Sequence, residues 1–260
     1  MVAATPAHEF LPTRYGDHMC GRFAMNKETN ELIEEFVTQG GDLRDWNGVY
    51  SVAPTQTAPI VRARTDDNGN TTRELNRARW DWPKPPNRPT GAPIINARIE
   101  KLPTGFWAGA FSSARCIVPM TGYYEWTGKA GAKIPHFIHG NGLLAAAGLT
   151  WHMDVGNGAR QRVFVVVTRE ARDASGEVHD RMPAFLTRDM WDTWLDPVSL
   201  TIPGDTAASR ANREQLVSAL LASSDQVAGT IREYIVDRKV NNTRTVDPTD
   251  PTLIEPVEAA

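Results

Sequence analysis

Between Arg115 and Thr168 the chain is a succession of short apolar runs punctuated by glycine and asparagine, and this pattern constrains the fold more than any other feature. RCIVPMTGYYEW (115–126), IPHFIHG (134–140), LLAAAGLTW (143–151) and RVFVVVT (162–168) each read as a strand bounded by turn formers. IREYIVDRKV (231–240) predicts a last strand. Upstream, YSVAPTQTAPIVRAR (50–64) reads as an extended segment broken by Pro54 and Pro59. DDNGN (66–70) is a hairpin turn signal, followed by a second strand up to about Trp80. WPKPPNRPTGAP (82–93) holds five prolines and predicts a long loop. Helices are few. NKETNELIEEFV (26–37) places Leu32, Ile33, Phe36 and Val37 on one stripe, ended by Gly40-Gly41. TRDMWDTWL (187–195), with Thr187 as N-cap, and NREQLVSALLAS (212–223) read as short helices. No internal repeat and no linker divides the chain. The expected fold is a single α+β domain on a mainly antiparallel, barrel-like sheet with short flanking helices, followed by a polar tail over 247–260.

Composition narrows the class. The 260 residues are 41% hydrophobic and 23% charged, which excludes a disordered or fibrous chain. No apolar run is long enough to span a membrane, and the first eighteen residues lack the apolar core of a secretory signal, so a cytoplasmic protein is expected. Cys20 and Cys116 are too few for a disulfide framework or a four-cysteine zinc site, and no metal or cofactor is expected. The net charge of −3 hides an uneven distribution. Residues 61–116 hold ten Lys/Arg against five acids, which makes that stretch +5 and the remainder −8. Trp80, Trp82, Phe106 and Trp107 lie within it. Cations interleaved with aromatics suit single-stranded nucleic acid, where they meet phosphates and stack on bases; a solvated face over core tryptophans reads equally from composition.

Few residues are equipped for acid–base or nucleophilic work. His136 and His139 lie three apart in a strand-like segment, point to opposite faces and make a poor metal pair. His139 and His152 read as structural. His179 sits in EVHDRMPAFL, a polar loop. Glu125 follows two aromatics in an otherwise apolar strand, a setting in which burial favours the protonated carboxyl; an edge-strand residue facing solvent fits the same pattern. Cys116 reads as a small buried hydrophobe. Cys20 follows Met19 and precedes Gly21. As an N-terminal residue it would carry an amine (pKa about 8) and a thiol (about 8.5) on adjacent carbons. Such a pair takes up an aldehyde as a Schiff base and closes it to a thiazolidine. An internal cysteine cannot do this, because its nitrogen is an amide.

The segments MCGRFA (19–24), VAPTQ (52–56), INARIE (95–100), RCIVPMTGYYEW (115–126), VHDRMP (178–183) and VNN (240–242) stand in the order seen in the SOS-response-associated peptidase (SRAP) family of abasic-site processing proteins. The chain resembles that family from Met19 to about Asn242. The resemblance implies a sensor of abasic sites in single-stranded DNA that crosslinks through an N-terminal cysteine. It also implies a SRAP domain over 20–246, with residues 1–19 either a leader removed autolytically or upstream of a true start at Met19. It assigns Cys20 as nucleophile, Asn96 to positioning, Glu125 to proton transfer and His179 to acid–base work on the deoxyribose. Arg22 and Arg98 would contact phosphates, and Pro54, Trp80, Trp82 and Trp126 would line the DNA path, although Asp81-Trp82-Pro83 stands after Trp80 where the family commonly has G-L-I-P. A monomer is the default for such a chain, no metal, cofactor or membrane partner is expected, and the protein would be nucleoid-associated when on DNA. The alternative from another class is a cysteine peptidase using Cys20, His179 and Glu125 on other polypeptides.

Overall fold

The computed structural model of the protein describes residues 21–257 apart from 86, 88, 89, 130, 156, 157 and 202–205. In chain order come β1 (Phe23–Glu28), α1 (Thr29–Phe36), β2 (Asn47–Val52), β3 (Thr57–Thr65), β4 (Thr71–Trp80), β5 (Asn96–Arg98), α2 (Ala108–Ser113), β6 (Arg115–Thr127), β7 (Ile134–Asp154), β8 (Arg160–Glu170), α3 (Asp173–Val178), β9 (Arg181–Pro183), α4 (Trp191–Leu195), α5 (Thr206–Ala228) and β10 (Arg232–Ile235). β7, β8, β4, β3 and β6 pair in that order, and β6 pairs again with β7, so the sheet closes into a ring. Closure removes edges from the central strands. β10 extends the ring beside β7, β1 and then β2 extend it beside β6, and β5 and β9 both pair with β8. These pairings are antiparallel except β4 and β5 against β8. The fold is the expected α+β barrel.

The apolar runs fill its interior. Val163 to Val167 on β8, Ile117 and Val118 on β6 and Ala145 to Ala147 on β7 are buried. The two strands read at 134–140 and 143–151 are one strand, Ile134–Asp154, because its pairing to β6 continues past the glycines with a register shift between Met120 and Gly122. Gly122 permits this close passage: a Cβ there would lie 2.6 Å from the Ile138 carbonyl oxygen.

Helices cover the ring. The Glu31 carboxylate accepts the Glu28 backbone N–H at 2.9 Å at the start of α1, and the Phe36 ring packs on Trp191 of α4 at 4.6 Å between centroids. α1 begins at Thr29 rather than near Asn26 and ends at Phe36, since the preceding residues pair as β1. α5 runs from Thr206 to Ala228, well beyond the twelve residues that the apolar spacing marks. Arg115, buried at the start of β6, donates to the carbonyls of Phe111, Ser112, Trp194 and Asp196 and so satisfies the ends of α2 and α4. Burial pulls its guanidinium down to about 10. No described helix is long and apolar enough to cross a membrane.

The segment after 247 is packed against the sheet, although its composition reads as a tail. Leu253 is fully buried with Tyr124, Phe137, Val236 and Val240. The Tyr50 backbone N–H donates to the Pro248 carbonyl at 2.7 Å, and the Tyr234 hydroxyl to that of Ile254 at 2.6 Å. Outside this contact, Lys239 donates to Asp250 at 2.8 Å and to the Thr252 hydroxyl. Leu253→Ala should therefore cost about 2–4 kcal/mol in chemical denaturation; a loss below about 0.5 kcal/mol would show that the segment is not part of the core. Lys239, with help from Thr252, holds the Asp250 carboxyl down at about 2. A carboxyl lowered on folding stabilises above its unfolded pKa of about 4 and stops doing so as pH falls through about 2. Protection of the Thr252 amide against exchange, taken relative to the intrinsic rate at each pH, should fall across that window and hold steady above it.

Candidate functional site

The site lies where β1 begins beside β6. β1 and β6 are in register at Phe23–Tyr123, and the Tyr124 N–H donates to the Arg22 carbonyl at 2.9 Å, so the pair runs toward Gly21 and Glu125. Gly21 and Glu125 line one cavity of about 640 Å³, with Arg22, Pro54, Trp126, Lys133, His179, Arg238 and Asn241. Glu125 is 2% exposed, which removes the solvent-facing alternative. Five sequence-marked residues, Arg22, Pro54, Glu125, Trp126 and His179, thus converge although they come from separate parts of the chain.

Arg22 is 5% exposed. It donates to Ser51 Oγ at 3.2 Å and to the Val240 carbonyl at 2.7 Å, and its guanidinium stands 5.8 Å from the centre of the Trp126 ring. Its Nε has no partner, and no carboxylate lies within ion-pair distance among the described residues. Burial lowers its proton affinity, only partly offset by Tyr124. The Trp126 indole N–H donates to Asn241 Oδ1 at 2.6 Å, and Asn241 Nδ2 donates to the Lys133 carbonyl at 3.1 Å. A 3-10 turn, Arg238–Asn241, therefore fixes both Arg22 and Trp126. Sequence alone did not mark Lys133 or Arg238. Asn241 lies in the VNN segment, yet its role emerges only from the fold, some 115 residues from its partner.

His179 follows α3 and lines a second cavity of about 470 Å³ with Arg98, Glu100, Glu170, Asp180 and Arg181. Its Nδ1 lies 3.1 Å from the Arg181 backbone N–H and 2.8 Å from Asp180 Oδ1. An unprotonated Nδ1 accepts from the amide, whereas a protonated one donates to the carboxylate. The Arg181 guanidinium is held on both oxygens of Glu100 at 2.7 and 3.2 Å. Asn96 and Arg98 sit two apart on β5 with fully buried Ala97 between them, so they share the face opposite the core. Arg98 reaches the second cavity, and Asn96 pairs along the same strand at Val166 of β8.

Three expected features stand elsewhere. Trp80 is a core residue, 1% exposed, stacked on Phe164 at 6.1 Å and donating to the Ile95 carbonyl at 2.9 Å. Its backbone carbonyl accepts from Thr55 at 2.8 Å, so it supports the Pro54 turn and presents no ring to a ligand. Trp82 packs edge-on against Trp107 at 5.1 Å and lines an apolar groove with Phe106 and Trp151. The +5 stretch is largely neutralised inside the fold. Arg62 and Arg64 meet Glu74 at 2.6 and 3.2 Å, Arg73 meets Asp192 at 2.6 Å, and Arg77 meets Asp45 at 2.5 Å. Arg115 is bound to carbonyls, and Lys84 to that of Gly91. Sequence clustering therefore misplaces the useful cations: those of the cavity are Arg22, Lys133 and Arg238. Cys20 lies outside the described residues. Among those described, no group of three or more His, Cys, Asp or Glu is placed to hold a metal.

Comparison with known proteins agrees with this arrangement. The family described as SOS response associated peptidase (SRAP) matches residues 19–243. Abasic site processing protein YoqW of Bacillus subtilis is 31% identical over 188 residues, covering 69% of this chain and 81% of its own. Abasic site processing protein YedK of Escherichia coli is 27% identical over 190 residues, covering 68% and 79%. A solved phage-related protein from Bordetella bronchiseptica superposes with a TM-score of 0.61 at 26% identity, covering 84% of this chain and 95% of its own. A solved protein from Bacteroides thetaiotaomicron, at 19% identity, shares the fold with a TM-score of 0.64 over 92% of this chain and 100% of its own. With that family matched over residues 19–243 and the fold shared with solved structures, the chain belongs to the SOS response-associated peptidase family.

Proposed function

We propose that this protein processes abasic sites in single-stranded DNA, joining them covalently through Cys20 once residues 1–19 are removed. The observation that carries the reading is the convergence of Gly21, Glu125 and His179 on one cavity whose other charged groups are cations. Cys20 is the residue bonded to the Gly21 nitrogen. The family's relatives named for abasic site processing support the same substrate.

The chemistry follows from an amine and a thiol on adjacent carbons. The Cys20 amine adds to the aldehyde carbon of the ring-opened deoxyribose, and the carbinolamine loses water to give an imine. The thiol sulfur then adds to the imine carbon while its proton passes to nitrogen, which closes the thiazolidine. The net change is loss of one water. Glu125 serves as the proton carrier for addition and dehydration, and for release of the preceding residues. His179 serves as acid and base in opening the sugar, and Asn96 positions the amine and the lesion. Arg22 and Arg98 take phosphates, joined by Lys133 and Arg238. Pro54 and Trp126 border the strand. A buried cation without a carboxylate favours an anionic occupant, because that occupant supplies the missing counter-charge.

Purified protein incubated with abasic single-stranded DNA should give a shifted band on a denaturing gel, absent in Cys20→Ala. Glu125→Gln should slow its appearance by about 10²–10⁴-fold. No band from the unaltered protein, with hydrolysis of peptides instead, would overturn the reading in favour of a cysteine peptidase. Reversible binding by Cys20→Ala should weaken steeply with salt, by a log–log slope of about −0.7 per phosphate contact. The covalent band, once formed, should persist at any salt concentration.

A further inference from the structure

His136 stands directly opposite Glu125 in the β6–β7 ladder. Opposed residues of an antiparallel pair share a face, with Cβ atoms about 4.5–5.5 Å apart. The imidazole is fixed at both nitrogens: Nδ1 lies 2.7 Å from Glu233 Oε2, and Nε2 lies 2.9 Å from Thr127 Oγ1. Thr127 lies two residues beyond Glu125 on the same strand, hence on the same face. Glu233 reaches the imidazole from β10, which pairs along the other side of β7. The pair is largely sheltered, with 12% of the His136 side chain and 25% of the Glu233 side chain exposed. α3 covers this face, with Ser175 Oγ 2.6 Å from the Tyr123 hydroxyl, and leads into His179.

We propose that His136, held between Glu233 and Thr127, is a positioning residue that sets the charge state of Glu125. An ionised Glu233 only accepts, so Nδ1 keeps its proton and Nε2 is where a proton arrives or leaves. The Thr127 hydroxyl donates to a neutral Nε2 and accepts from a protonated one, so the change needs only a rotation of that hydroxyl. Protonated His136 cancels Glu233 and places a cation across from Glu125, which favours the carboxylate. Neutral His136 leaves the Glu233 charge unopposed, which favours the proton on Glu125. A proton lost by the dyad is therefore welcome on the catalytic carboxyl, and the reverse. The other charged groups around this face are Asp173 and Glu177 on α3 with His179 at its end, and Arg22, Lys133 and Arg238 on the cavity side. Neither acid of α3 is bonded to the dyad, and the three cations act on Glu125 with or without it.

The benefit to catalysis rests on Glu125 being the proton carrier, but the charge coupling does not, and the test separates them. The Glu125 carboxyl carbon is followed by ¹³C NMR against pH in the full chain, with Glu125→Gln for assignment. His136→Phe leaves Glu233 without its cation and should raise the Glu125 midpoint by about one pH unit. Glu233→Gln removes the anion and should lower it. Thr127→Val, which removes the hydroxyl and keeps the shape, should move the Glu125 midpoint less than His136→Phe does. Midpoints that stay in place in both His136→Phe and Glu233→Gln, or that move the same way, would overturn the proposal, since a merely structural role predicts no opposite displacement. Failure of the unaltered protein to crosslink DNA would overturn the reading of the site and leave this result standing.

Discussion

A buried arginine with no carboxylate partner among the described residues organises this molecule. Arg22 carries its charge into a protein interior, where an ion is several kcal/mol less stable than in water unless other groups replace its hydration. The replacement comes from three directions: Ser51 on β2, the Val240 carbonyl in the Arg238–Asn241 3-10 turn, and the face of Trp126 on β6. Each partner must be held in turn. Trp126 is held by Asn241, the 3-10 turn is packed through Val240, and that packing continues into Leu253. The beginning and end of the described chain thus meet at one guanidinium, with the closed sheet serving to bring them together.

The charge pattern elsewhere gives the arginine its meaning. Cations on β3 and β4 are matched by nearby acids, and Arg115 is consumed in finishing two helices. The cavity is different: among its described lining residues Arg22, Lys133 and Arg238 stand with one carboxyl, Glu125. That lining suits the anionic strand proposed for the site, and it places Glu125 beside the start of β1. The net charge of the chain carries none of this information.

Much of the fold was legible because its signals are local. Apolar runs bounded by glycine marked β6 and β8, and Asp66 to Asn70 marked the β3–β4 turn, which its Asp66 carboxylate indeed holds by accepting two backbone N–H groups at 2.9 and 2.8 Å. What failed did so where tertiary contact overrode local pattern. β7 continues through its glycines because β6 runs alongside, and α5 extends past its apolar stripe. Residues after 247 look polar while one leucine anchors them. In the site, Glu125, His179, Arg22, Pro54 and Trp126 were marked by motif and meet in space. Lys133 and Arg238 were not marked, since an isolated cation in a turn has no pattern of its own, and Asn241 was marked by motif without a role. Trp80 shows the opposite error: an aromatic beside arginines reads as a stacking platform until its indole is found facing the core.

The central claim is that the amino group of Cys20, not merely its sulfur, takes part in bonding to the lesion. Intact-mass measurement of the protein before and after reaction with a short abasic oligonucleotide tests it most directly. The account predicts a starting chain that begins at Cys20, and an adduct equal to the sum of both partners less one water. An adduct formed by a chain that still begins at Met1, or one whose mass retains that water, would contradict it.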